Sequence, residues 1–473
     1  MDATRSPISE DRLAALVNAQ RAALRSQGVP NRASRVASLR ALDALLKRHS
    51  SEILQAIQSD FESRSIFESW LFDIRPVRRS LADHIRRLKT AAAVEQVLGS
   101  RTAARINDST NVGVGGFIPA WHFPVSQSFL PVIEAIASGN RAVLALPHQT
   151  PSTSDSLKRI VGDVFSAEHV VAVTGGENVA SAFARLPLDW LQAATQWPQA
   201  RSASLAAGSQ LVPLSLAVPG RGVAVVTRGY SLDLAAQHIM RSKLFNAGQH
   251  PSAPDIVYVP RGAVGIFLGY ARHAVAAMYP LLLWNPDYGS MVSVQHADEV
   301  RFLIEDAIDR GAQIIRANPG GESLREQKRK IAPTLVVEVG DEMAALRQPI
   351  LGPVLAVRTY QHLEEVIELA SARNELSSLY WFDVDADRAD GMIPRMSSRR
   401  AWLNAAPPFG SALATVLPPL LSGDSDSRNG FGSGDTRFPI RSTVIDRMFS
   451  VRPPYGGMMR TLSAWRLGAR AAD

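Results

Sequence analysis

The sequence predicts an α/β protein built on two doubly wound, mainly parallel sheets. Three observations carry this. Short apolar segments alternate with helical segments from Val112 onward, the pattern of strand–helix–strand crossovers. Helix-stop residues punctuate the alternation, as at Gly139-Asn140. The chain is also long and apolar enough for two cores: 473 residues, 46% hydrophobic and 20% charged, far from the composition of a disordered chain. No uncharged apolar run reaches the roughly 18 residues of a membrane-spanning helix, so none is expected. The charged N-terminus (Asp2, Arg5, Glu10, Asp11, Arg12) does not read as a secretory signal, and a cytoplasmic location is expected.

The first stretch of chain reads as helices. Leu13, Leu16, Val17 and Leu24 share one helical face, interrupted by polar Gln20. Pro30 ends that pattern, and Asn31 is a suitable N-cap for the next helix, which carries Val36, Leu39, Leu42, Leu45 and Leu46. A third helix opens at Ser51-Glu52 and a fourth runs over about 67–87. From about Arg105 the period changes. A strand ending at Ile118 enters the proline-rich turn from Pro119 to Pro124, and the apolar stretch from Phe129 to Ala137 reads as a helix. Arg141 to Leu146 then reads as a buried strand, Thr153 to Val164 as a helix and Val170 to Val173 as a strand. Strands follow near Leu188–Leu191, Val212–Leu216 and Gly222–Val226. Beyond Ser231 the alternation resumes. A helix from Asp233 to Leu244, a strand from Asp255 to Val259 and a helix from Ala263 to Met278 open a second α/β domain.

The net charge is +7, with 45 arginines against six lysines. The arginines are interleaved with acids along the whole chain, which reads as a solvated surface. Without a basic stripe or an aromatic–basic ladder, nucleic acid is not an expected partner. There is no cysteine, which excludes disulfides, thiolate metal ligands and every thiol-based mechanism. The ten histidines form no pair at three- or four-residue spacing, so no metal is expected. Asp424-Ser425-Asp426 begins like a calcium loop, but Arg428 stands where a ligand is needed.

Several motifs occur in order along nearly the whole chain. They are Phe117-Ile118-Pro119-Ala120-Trp121-His122-Phe123-Pro124, Gly139-Asn140-Arg141-Ala142-Val143, Val173-Thr174-Gly175-Gly176 and Asn246-Ala247-Gly248-Gln249 with Ala253-Pro254-Asp255. Leu351-Gly352-Pro353-Val354 and Arg452-Pro453-Pro454-Tyr455-Gly456 complete them. Together they resemble the aldehyde dehydrogenase superfamily, closest to its coniferyl-aldehyde dehydrogenase-like branch. The resemblance implies an aldehyde dehydrogenase-like fold: a cofactor-type domain at 1–89 and 112–218, a catalytic-type domain at 219–405, bridging or oligomerisation segments at 90–111 and 406–440, and a tail at 441–473.

The mechanism implied by the resemblance uses a cysteine nucleophile, a glutamate base, an asparagine amide at the oxyanion and NAD or NADP as hydride acceptor. On this sequence the nucleophile position falls on Pro251, the base on Ala217 and the oxyanion asparagine on His122. Ala217 and Pro251 keep the family's spacing. The cofactor positions fall on Leu146, on Ala194 and Thr195, and on Pro349. These substitutions lead to the expectation of a catalytically inactive chain with a structural, regulatory or ligand-binding role, NAD(P) being weakly held or lost. The alternative is an aldehyde oxidoreductase or a hydrolase using His250, Ser252 and His122. A homodimer, or a heteromer with a related active subunit, is expected through 90–111 and the apolar stretch containing Leu413, Val416, Leu417, Leu420 and Leu421.

Overall fold

The computed structural model describes residues 9–98, 112–371 and 376–406, apart from 177, 325, 397 and 399. The segment 99–111 and everything beyond 406 lie outside the described residues. So do the apolar stretch assigned above to assembly, the acidic loop at 424 and the tail. The chain forms two compact units that divide between Pro219 and Gly220, with Gly289–Val294 returning to the first.

The first unit opens with helices α1 (Glu10–Gln27), α2 (Arg32–Arg48) and α3 (Ser50–Phe61). Asn31 caps α2 as expected, its side chain accepting from the Ser34 N–H. The fourth expected helix is instead three pieces: α4 (Ile66–Ser69), a π-helical turn at Trp70–Ile74 and α5 (Arg75–Leu98). Pro76 has no N–H to give, so a regular α ladder cannot pass through it, and the chain widens into the π turn just before it.

Strands β1 (Val114–Ile118), β2 (Arg141–Leu146), β3 (Val170–Thr174), β4 (Trp190–Ala194) and β5 (Leu214–Ala217) form one parallel sheet of order β3-β2-β1-β4-β5. Helices α6 (Pro124–Ala137), α7 (Pro151–Val164), α8 (Val179–Ala184) and α9 (Trp197–Gln210) make the crossovers. Side chains of β2 alternate between two cores. Ala142, Leu144 and Leu146 pack with α2, α3, α6 and α7, while Val143 and Ala145 pack with α1, α8 and α9. Gln20, the polar interruption in α1, is fully buried and donates through Nε2 to the carbonyls of Ala142 and Ala167, both at 3.0 Å. It fastens the helix to the sheet.

The second unit carries β6 (Arg221–Val226), α10 (Leu232–Leu244), β7 (Pro254–Pro260), α11 (Val264–Met278), α12 (Val294–Asp309) and β8 (Gln313–Arg316). There follow β9 (Thr334–Val337), α13 (Ala344–Arg347), β10 (Val354–Tyr360), α14 (Leu363–Ser371), β11 (Leu376–Phe382), α15 (Ala386–Met392) and β12 (Ala401–Leu403). Its sheet has the order β12-β11-β6-β7-β10-β9-β8, and β8 is the antiparallel member, paired with β9.

Replacing Gln20 with Ala leaves two carbonyls without their donors. The expected cost is about 1–3 kcal/mol, read as a lower urea midpoint for the first unfolding step. An unchanged midpoint would show that water takes over both bonds.

Candidate active site

The sequence-derived site residues fall in both units: His122, Leu146, Ala194, Thr195 and Ala217 in the first, and His250, Pro251, Ser252 and Pro349 in the second. The chain of the first unit runs from β1 to β2 and β3, then crosses back to β4 on the other side of β1. In such sheets the crevice lies beyond the C-terminal ends of the strands at the point where the order reverses. The turn after β1 carries His122. Its ring is largely buried and meets Phe123 edge-on at 5.1 Å.

Helix α6 begins at Pro124, and its N-cap residue Phe123 has no side-chain acceptor. Asp73 supplies one from the π turn: its Oδ1 accepts from the N–H groups of Val125 at 3.0 Å and Ser126 at 3.1 Å. Arg64 pairs with Asp73 Oδ2 at 3.2 Å, donates to the His122 carbonyl at 3.0 Å and lies over the rings of Phe61 and Phe123. Both charged side chains are fully buried. Burial pushes the Asp73 carboxyl up to about 6, against the pull of Arg64 and the two N–H groups. The sequence reading missed Arg64 and Asp73, because an Arg in the link between two helices and an Asp within an expected helix look like surface charges.

Ala194 and Ala217 are paired at the ends of β4 and β5, and the Thr195 N–H donates to the Ala217 carbonyl at 3.1 Å. A cavity of about 20 Å³ lies here, lined by Phe117, Pro119, Gln127, Pro131, Gln192 and Ala217 among others. That is room for a water molecule. The dinucleotide implied by the family resemblance finds no polar side chain at Leu146, Ala194 or Pro349, and at Thr195 only a hydroxyl. Leu146 is fully buried in the apolar core, and Pro349 offers no donor. Ala194 has only a methyl group, and the N–H of Thr195 is already spent. Pro198 also withdraws an N–H from the first turn of α9. These residues do not fit the group, and no step is derived through it.

In the second unit the chain before Pro251 takes three successive positive φ angles, +48° at Asn246, +51° at Ala247 and +77° at Gly248. Such a run is costly for residues with a Cβ and needs support from its surroundings. Support comes from many bonds. Gln249 Nε2 donates to the Asn246 carbonyl at 3.0 Å, and Ser377 Oγ donates to the Pro251 carbonyl at 2.9 Å. The Tyr380 hydroxyl donates to the Ser252 carbonyl. His250 Nε2 lies 3.1 Å from the Ser242 carbonyl and Nδ1 lies 3.0 Å from Ser252 Oγ. A carbonyl only accepts, so Nε2 carries the proton and Nδ1 accepts from the Ser252 hydroxyl. Burial pushes His250 down to about 4, so the ring is neutral at pH 7. The expected His–Ser pair therefore exists as a hydrogen bond. It is sealed, however, with His250 1% and Ser252 0% exposed, and it serves the turn. Among the described residues no cluster of three His, Cys, Asp or Glu could hold a metal, and no helix is long and apolar enough to cross a membrane.

Residues 4–415 match the model of the aldehyde dehydrogenase family. The chain belongs to that family. It is 32% identical over 470 residues to a probable coniferyl aldehyde dehydrogenase of Caulobacter vibrioides, covering 95% of each chain. It is 30% identical over 465 residues to a coniferyl aldehyde dehydrogenase of a Pseudomonas species, again covering 95% of each. Among solved structures, Staphylococcus aureus AldH in its substrate-bound state has a TM-score of 0.74 at 24% identity, covering 84% of this chain and 85% of that one. The aldehyde dehydrogenase-like fold, with its mainly parallel sheets, is thereby established.

These relatives overturn the expectation of an inactive chain with a structural or regulatory role. Aldehyde dehydrogenase family members named as dehydrogenases share three residues in ten with it from end to end. The expectation rested on positions taken one at a time, and a substituted position is not a measured loss of activity.

The raised value at Asp73 gives a test with a definite sign. Between its ordinary value of 3.8 and about 6 the folded chain binds this proton more tightly than the unfolded chain. The contribution of Asp73 to stability is therefore greatest at pH 4 and falls as pH rises through 6. Relative to Asp73→Asn, wild type is expected to lose about 2–3 kcal/mol between pH 4 and pH 7. Urea unfolding of both proteins at the two pH values measures it. A pH-independent difference would mean that Asp73 stays ionised throughout.

Proposed function

We propose that the chain is an oxidoreductase of the aldehyde dehydrogenase family that oxidises aromatic aldehydes of the coniferyl type to the acids. One observation carries the reading: identity of 30–32% along 95% of the chain with proteins named for that reaction. The motif turn at residues 246–253 supports it: side-chain hydrogen bonds from Gln249 and Ser377 hold its backbone, and a reacting centre needs fixed geometry. The half-reaction is R–CHO + H2O → R–COOH + 2 H+ + 2 e−, so an electron acceptor is needed. With no cysteine in the sequence, the route in this chain does not pass through a thiohemiacetal.

The experiment is a turnover assay on the purified chain with coniferyl aldehyde, supplying NAD+, NADP+ and a dye acceptor in separate reactions. Formation of the acid with any one of them, followed by chromatography, is expected. No acid with all three would overturn the proposal. The same assay tests the route. Pretreatment with iodoacetamide is expected to leave the rate unchanged, since no thiolate is there to alkylate.

A further inference from the structure

The second unit packs two turns against each other. One runs over 246–251 and ends at Pro251. The other runs over 349–353, between α13 and β10. Their backbones touch, since a Cβ on Gly248 would lie 2.2 Å from the Gly352 carbonyl oxygen. Lys243, in the last turn of α10, donates to Asp255 Oδ1 at 3.1 Å and to the Ile350 carbonyl at 3.4 Å. Asp255, on β7, accepts from the backbone N–H of the same Ile350. One ion pair thus grips both polar groups of a single residue. His296 of α12 donates from Nε2 to the Leu351 carbonyl at 2.7 Å, with Glu299 beside its Nδ1 at 3.2 Å. Val300, one turn along the same helix, closes on Gly352.

The Lys243 and Asp255 side chains are 0% and 4% exposed. A buried pair of this kind costs desolvation that a well-packed apolar pair would avoid, so stability alone does not account for it. Its geometry does something an apolar pair cannot. It ties the helix before the first turn and the strand after it to the middle of the second turn.

We propose that Lys243, Asp255 and His296 are positioning residues that couple the turn at Pro251 to the turn at Pro349, so that neither moves without the other. The catalytic sense of that coupling rests on the aldehyde-oxidising reading above. The coupling itself is a property of the folded chain and is measured without turnover.

Hydrogen–deuterium exchange on the full chain tests it. In His296→Ala, exchange is expected to rise about five- to tenfold in peptides covering 349–353 and also in those covering 246–253, the change that follows loss of one hydrogen bond. Peptides from β6 and β11 should not change. His296→Gln, which keeps a donor, should restore protection. The double variant Lys243→Met with Asp255→Leu removes both charges together, leaves no lone buried ion and should loosen the same two turns. A change confined to 349–353, one spread evenly over the unit, or none at all would overturn the coupling. With coniferyl aldehyde as probe, kcat is expected to fall in His296→Ala while KM changes little. If wild type does not turn over that aldehyde, the function fails while the exchange pattern still decides the coupling.

Discussion

Two remote carboxylates organise the first unit. Helices α6 and α7 both begin with proline, and neither has a side-chain cap of its own. Asp73 caps the first, and Asp60 caps the second through the N–H groups of Ser152 and Thr153, both at 2.8 Å. Each helix follows a turn next to a site position: the first turn carries His122, and the second starts directly after Leu146 at the end of β2. The N-terminal helices therefore do more than cover the sheet. They send a charge to each helix start and fix where those turns end. There is an electrostatic consequence. A helix N-terminus that already holds its own carboxylate has less partial positive charge left for an anionic ligand.

Much of the fold was legible because it rests on local rules. The β2 strand shows its type by an unbroken apolar run, and Asn31 shows the start of α2 by its capping side chain. The legibility failed where a distant partner decides. α6 begins at Pro124, earlier than the apolar run suggests, because Asp73 satisfies first-turn N–H groups that would otherwise be left without an acceptor at the helix start. Gln20 looked like a flaw in an apolar face and is a clamp to two carbonyls over 100 residues away in sequence. The site was legible in its turns and opaque in its supports. Gly248 shows in the sequence as a motif glycine, but the carbonyl of Gly352 that forbids a side chain there does not.

The inactive reading and the family comparison weigh different things. Motif positions report individual side chains, whereas identity along the whole chain reports a backbone kept for a use. Around Pro251 that backbone includes a left-handed run that no chain adopts cheaply. His250, neutral and sealed, contributes to holding it, so a residue that looked like a substitute nucleophile's partner is part of the scaffold.

Among the described residues, the second sheet is bounded on one side by β8, four residues long and antiparallel, and on the other by β12, three residues long. Flat, extended outer strands are what let one sheet recruit another edge to edge. Here each outer strand offers little length for such pairing, and Arg316 closes β8 with a charge. The long parallel strands that form slowly during folding are therefore flanked by poor templates for aggregation.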